Sequence, residues 1–206
     1  MSKGHMRPEF RVCDVVWFNL IESCYHGNYN QGKGIICVKK RRAGFSWKAA
    51  ADALHECLFK VGANVGMTSK GERDAIKLFK KVHFIREKLP SFLKHPLASQ
   101  TKESLEFARK SKDEHGDKEL TGNQSSLYCV PPVDDCFEGD MLHRMFIDEI
   151  GKIDNAESIW AVGEDVLMEE EDRKGITVLF GTAGEQDGNG SGQREFWVNH
   201  NSYDLV

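Results

Sequence analysis

Two kinds of hydrophobic pattern alternate along the chain. Short continuous apolar runs flanked by glycine or polar residues suit buried strands, and longer stretches with apolar residues every three or four positions suit amphipathic helices. "WFNLIESC", residues 17–24, places Phe18, Leu20 and Ile21 on one side of a short helix, and the Gly- and Asn-rich "YHGNYNQGKG" after it reads as a loop. "GIICV", residues 34–38, is a buried strand. From Ser46 onward Ala49, Ala50, Ala53, Leu54, Cys57 and Leu58 define a helical stripe.

The same alternation continues downstream. "VGANVGMTS", residues 61–69, predicts a second strand, and residues 71–89 a helix ended by Pro90. Residues 95–126 are polar and weakly patterned apart from "SLEFARK", and read mostly as loop with room for a hairpin leading into "SLYCVPP". "HRMFIDE", residues 143–149, is a strand that closes on two acids. Residues 154–172 predict a helix, with Asp154 and Glu157 in capping-box spacing and Ile159, Val162, Val166 and Leu167 on one face. "ITVLFGT", residues 176–182, is a further strand, and "GEQDGNGSGQ" a flexible loop whose Gly-rich end has no helical pattern after it. Strand and helix alternating in this way predict an α/β protein with a parallel sheet.

Composition narrows the classes of function. The 206 residues suit one domain, and a net charge of −4 leaves any nucleic-acid contact to local patches. Lys39 to Arg42 is one patch. Lys77, Lys80 and Lys81 are another, with a solvated helix face as the simpler reading. The six cysteines form no CxxC pair, the histidines show no metal-ligand spacing, and no apolar signal segment opens the chain, so a reduced intracellular protein without a structural metal is expected. No run of 18 apolar residues spans a membrane. The opening "MSKGHM" reads as a cloning remnant, making residues 1–9 a tag or disordered N-terminus.

Chemistry concentrates where strands end, the place where parallel sheets bind ligands. After the first strand comes "KKRRAGFSWKAA", residues 39–50, which has the glycine and the hydroxyl of a phosphate-binding loop but a phenylalanine where its lysine belongs. Such a loop needs backbone N–H groups, a cation for the phosphates and a hydroxyl for magnesium. Gly44 and Ser46 fit, and the charge falls to Lys39 or Lys40. After a second strand come Asp148 and Glu149, in the order of a carboxylate that holds Mg²⁺ and one that activates water. After the last come Gly181, Thr182, Ala183 and Gly184.

These three segments, "KKRRAGFSWKAA", "MLHRMFIDEIGKIDN" and "VLFGTAGE", resemble the Walker A, Walker B and coupling motifs of the large terminase subunit of tailed bacteriophages. One branch of that family, typified by phage lambda, has a deviant Walker A of the form K-x-x-R-x-G-[YF]-S. Lys39, Arg42, Gly44, Phe45 and Ser46 match it position by position. The resemblance runs over residues 10–185 and implies a P-loop NTPase fold of the RecA/ASCE-like kind, its mostly parallel central sheet flanked by helices. It further implies ATP and Mg²⁺ as ligands, with Lys39, Lys40, Arg41, Arg42, Ala43, Gly44, Phe45, Ser46 and Trp47 forming the nucleotide loop. Asp148 and Ser46 would hold the metal and Glu149 would activate water. Thr182 would sense hydrolysis, and Arg42, or Arg41, would approach the γ-phosphate, a task suited to a planar and permanently charged guanidinium. Trp17, Phe18 and Tyr29 would offer a stacking surface for adenine.

The partners implied are double-stranded DNA, the portal or procapsid, the small terminase subunit, and further copies of the chain in a ring, all in the host cell cytoplasm. In that family a nuclease domain follows. Residues 186–206 are expected to be a flexible C-terminal segment instead, without nuclease activity. Two other readings accompany this one: another ATP-driven nucleic-acid translocase of helicase type, and a catalytically inactive interaction module.

Overall fold

A computed structural model describes residues 9–26, 32–112, 118–182 and 191–206. Seven strands form one sheet: β1 (Ile35–Val38), β2 (Asn64–Ser69), β3 (Ser99–Gln100), β4 (Ser104–Lys112), β5 (Lys118–Val130), β6 (Arg144–Asp148) and β9 (Ile176–Gly181). Their order is β1-β9-β6-β2-β5-β4-β3. The five strands from β1 to β5 in that order are mutually parallel, and β4 and β3 extend the sheet antiparallel. Two short strands, β7 (Met168–Glu169) and β8 (Asp172–Arg173), pair apart from it.

Helices cover both faces. On one side α1 (Val12–His26), α2 (Phe45–Phe59) and α3 (Glu72–Lys88) bury Trp17, Ile21, Leu54, Leu78 and Phe79 against Val65, Met67, Phe146, Val178 and Phe180. On the other, α4 (Ala156–Asp165) and α5 (Ser191–Val198) bury Ile159 and Phe196 against Met145, Ile147 and Leu179. Successive residues of β6 and β9 therefore point into different cores, which is why these strands read as unbroken apolar runs. Beneath α2, the side chain of Arg144 is almost wholly buried and pairs with Asp52 and with Glu56 at 2.9 Å, tying the start of β6 to the helix.

Three expectations need correction. Residues 95–126 are mostly strand: β4 and β5 form a long hairpin, with Leu105, Phe107 and Leu127 buried and the alternate positions polar because this end of the sheet faces solvent. The helix expected over 154–172 stops at Asp165. Val166 and Leu167 turn into the second core, Glu164 pairs with Arg173 at 2.6 and 2.8 Å, and the acidic run becomes the β7–β8 turn. Its N-cap is Asn155 without a side-chain cap, so the Asp154–Glu157 box does not form.

The third concerns the C-terminal segment, expected to be flexible. Its described part, residues 191–206, forms α5 and a 3₁₀ turn, with Phe196 and Leu205 buried. Leu205 bridges Gly34 in parallel, and Val206 accepts from Ile36 N at 3.0 Å, beside β1. A helix thus follows the Gly-rich run after all. Its apolar face is one turn long, too short for a periodic signal. The first eight residues, Tyr29, Ala183, Gly184 and most of the Gly-rich loop lie outside the described residues. No described helix is long and apolar enough to cross a membrane.

Candidate active site

Register brings the three strand ends to one level. Val38 is opposite Gly181, and Asp148 is opposite Phe180 on one side and Ser69 on the other. Lys39, Glu149 and Thr182, each the first residue beyond its strand, therefore emerge side by side with β9 between the basic and acidic strands. Lys39 N donates to Gly181 O at 2.8 Å and fixes where the loop departs.

The loop then turns into α2 with Arg42 (φ 61°) and Gly44 (φ 83°) both in the left-handed region. Gly44 occupies the N-cap, where a side chain would be strained by that φ and would also meet the Arg11 guanidinium at 3.4 Å. No side chain caps α2 and its first turn carries no acid. The positive end of the helix is thereby left without a side-chain counter-charge of its own. Arg11 donates to Ala43 O at 2.8 Å while pairing with Asp14, and Lys48 pairs with Asp14 at 2.8 Å, so α1 braces the loop from behind.

Phe45, in the position a lysine commonly holds, points into the protein. Its ring lies 4.9 Å from Trp17, edge-on, and 6.5 Å from Phe180, with the Lys48 ammonium 4.0 Å from its centroid. Lys39, at the front of the loop, is instead the cation that meets the two acids. Its buried ammonium lies 2.8 Å from Glu149 Oε1, 3.2 Å from Asp148 Oδ1 and 5.4 Å from the centre of the Phe180 ring. Burial alone would lower its pKa, but the two carboxylates outweigh that and hold it above its ordinary value.

Ser46 Oγ donates to Asp148 Oδ2 at 2.7 Å. Glu149 adopts φ 57° and accepts from Lys39, from Lys152 at 2.9 Å and from Thr182 Oγ1 at 3.0 Å. Burial pushes its pKa up, but these donors prevail and bring it down to about 2. It is a carboxylate at any physiological pH. A left-handed backbone at a non-glycine residue costs of order 1–3 kcal/mol and here turns the side chain back toward Lys39 and Thr182.

Lys39, Arg42 to Trp47 and Glu149 line a cavity of about 380 Å³, together with Lys81 of α3. Lys40 and Arg41 take no part in its wall, and Trp47, half exposed, packs edge-on against Phe84 at 5.5 Å. The structure thus brings together Lys39, Arg42, Ala43, Gly44, Phe45, Ser46, Trp47, Asp148, Glu149 and Thr182. Besides Lys81, two residues of the site escape sequence reasoning. Lys152, three residues after Glu149, has a spacing that could have marked it as a partner of that acid, whereas nothing in the sequence links Arg11 to the loop.

The donor set suits magnesium. Among the described residues no three His, Cys, Asp or Glu side chains converge to enclose a metal. Ser46 and Asp148 offer one hydroxyl and one carboxylate, and Asp148 Oδ1 is buried with the Lys39 ammonium at 3.2 Å as its partner. Mg²⁺ favours such sparse sites, completing its shell with water and substrate phosphates.

Solved structures with this architecture include large terminases. An ATPase-domain mutant from the large terminase of Thermus phage P74-26 superposes with a TM-score of 0.60 and 16% identity, over 88% of this chain and 67% of that one. The large terminase of bacteriophage HK97 gives a TM-score of 0.67 at 10% identity, over 100% of this chain and 40% of that one. The large terminase of a thermophilic bacteriophage gives 0.59 at 15%, over 96% and 44%. This chain has the fold of large-terminase ATPase domains, a P-loop α/β fold with a mostly parallel central sheet. It spans less than half the length of the HK97 protein and of the thermophilic phage's protein. No family model and no curated sequence matches it.

Proposed function

We propose that this chain is the ATPase part of a viral DNA-packaging motor, a large terminase subunit that hydrolyses ATP to drive double-stranded DNA into a procapsid. The observation that carries the reading is the convergence of Lys39 on Asp148 and Glu149, a cation and two carboxylates beside one loop that opens a helix. Lys39 and the α2 N-terminus bind the phosphates, and Arg42, on the cavity rim, reaches the terminal one. Ser46 and Asp148 would hold Mg²⁺, which when bound neutralises charge on the phosphate oxygens. Glu149, fixed by Thr182 and Lys152, orients the attacking water and takes its proton.

In this reading Thr182 reports the state of Glu149 to the segment after β9. Lys39 would exchange its carboxylate partners for phosphate oxygens when nucleotide enters. The motor works as a ring of copies in the host cell cytoplasm, with the portal and a small subunit as partners, and grips DNA through its phosphates. That grip weakens steeply with salt.

The test is steady-state ATP hydrolysis with and without double-stranded DNA, in the presence of Mg²⁺, for the wild type and Glu149→Gln. Turnover that the variant abolishes while still binding nucleotide supports the proposal. Equal rates in the two proteins would refute the role of Glu149.

A further inference from the structure

We propose that Lys81 is a second phosphate-binding cation of the same cavity, contributed by α3 and specific for the terminal phosphate; this rests on the nucleotide reading above. The residue stands among Lys77 and Lys80, and all three look alike in the sequence as a basic helix face. The structure separates them. Lys77 pairs with Asp74 at 2.8 Å, and Lys80 is exposed. Lys81 is half-buried in the wall of the cavity that Lys39, Ser46 and Glu149 line.

Its ammonium is poorly served where it lies. Among the described residues no carboxylate comes within 4.0 Å of it, and its hydrogen bond goes to the Lys77 carbonyl of its own helix at 3.2 Å. Burial lowers its pKa, while the charges of Asp148 and Lys39 act on it in opposite senses across the cavity. A partly desolvated cation without a counter-ion, facing a helix N-terminus, is stabilised by an incoming polyanion more than a solvated lysine would be. The existing carboxylates are already taken: Glu149 is held by Lys39, Lys152 and Thr182, and Asp148 by Lys39 and Ser46. The anion that suits it is a nucleoside triphosphate, whose terminal phosphate carries charge that a diphosphate lacks. Trp47, whose ring meets Phe84 one turn along α3, holds α3 against α2 so that Lys81 stays at the wall.

The experiment is calorimetric titration of Mg-ATPγS and Mg-ADP into the wild type, Lys81→Ala, Lys81→Arg, Lys39→Ala and Lys102→Ala. The last removes an exposed positive charge near the hairpin end of the sheet. Losing one charge-assisted contact should weaken Mg-ATPγS binding by about 10–100-fold in Lys81→Ala, weaken Mg-ADP by less, and leave Lys102→Ala unchanged, with partial rescue in Lys81→Arg. Thermal unfolding of the unliganded variants shows that Lys81→Ala folds, since removing a desolvated lysine costs little stability. If Lys39→Ala loses affinity while Lys81→Ala binds both nucleotides as the wild type does, Lys81 is not a phosphate ligand and the site reading survives alone. An equal loss for both nucleotides overturns its specificity for the terminal phosphate. If the wild type itself binds neither, both proposals fall together.

Discussion

Ser46 Oγ and Asp148 Oδ2 lie 2.7 Å apart although 102 residues separate them in the chain. The pair joins the first turn of α2 to the end of β6, and it places a hydroxyl and a carboxylate oxygen suited to a magnesium ion beside Lys39. Ser46→Ala removes one of them and leaves a buried carboxylate oxygen short of a donor. It is expected to lower kcat/KM for Mg-ATP by about 10–100-fold and folding stability by about 1–2 kcal/mol, whereas Ser46→Thr retains both. A hydrolysis rate whose Mg²⁺ dependence is unaltered in Ser46→Ala would remove the serine from the metal site.

The aromatic residue in the loop is structural. Phe45→Lys is expected to destabilise the fold by about 3 kcal/mol in urea unfolding, through lost contacts with Trp17 and Phe180 and a charge placed among them. Lys39→Ala with Phe45→Lys is not expected to regain nucleotide binding, because the side chain at position 45 borders the cavity but is packed against Trp17 and Phe180. Recovery of binding in the double variant would show that the loop can carry its lysine in either place.

The pKa of Glu149 couples the site to acid stability. Its folded-state value of about 2 lies below its ordinary 4.5, so its ionised form stabilises the fold fully above about pH 4.5 and that contribution disappears as pH falls toward 2. The difference in melting temperature between the wild type and Glu149→Gln should therefore shrink as pH falls from about 5 to about 2. A pH-independent difference would mean that Glu149 is not held by Lys39 and Lys152 in solution.

The parts of this site that were legible in the sequence are those governed by local spacing. A strand, a loop with glycine and serine, and a helix follow one another within residues 34–59, and the two acids directly end an apolar run, so Lys39, Ser46, Asp148 and Glu149 could be named without coordinates. Pairings across the chain were not legible. Lys81 reaches the cavity only because α3 packs on α2, and nothing in "KLFKKV" distinguishes it from Lys77 or Lys80. The β4–β5 hairpin was hidden for a different reason: a register shift between Phe107 and Arg109 breaks the alternation, and beyond it polar and charged residues on both strands leave no apolar period-two signal. The acidic run after Asp165 has a helical composition, but burial of Val166 and Leu167 and the Glu164–Arg173 pair decide its path, and both are tertiary.

Whether Lys39 rather than position 45 binds the phosphates is decided by calorimetric titration of Mg-ATP into the wild type and Lys39→Ala. A saturable isotherm is expected for the wild type and one weaker by about tenfold or more for the variant, with Lys40→Ala indistinguishable from the wild type. Binding that survives in Lys39→Ala and is lost in Lys40→Ala would contradict this expectation.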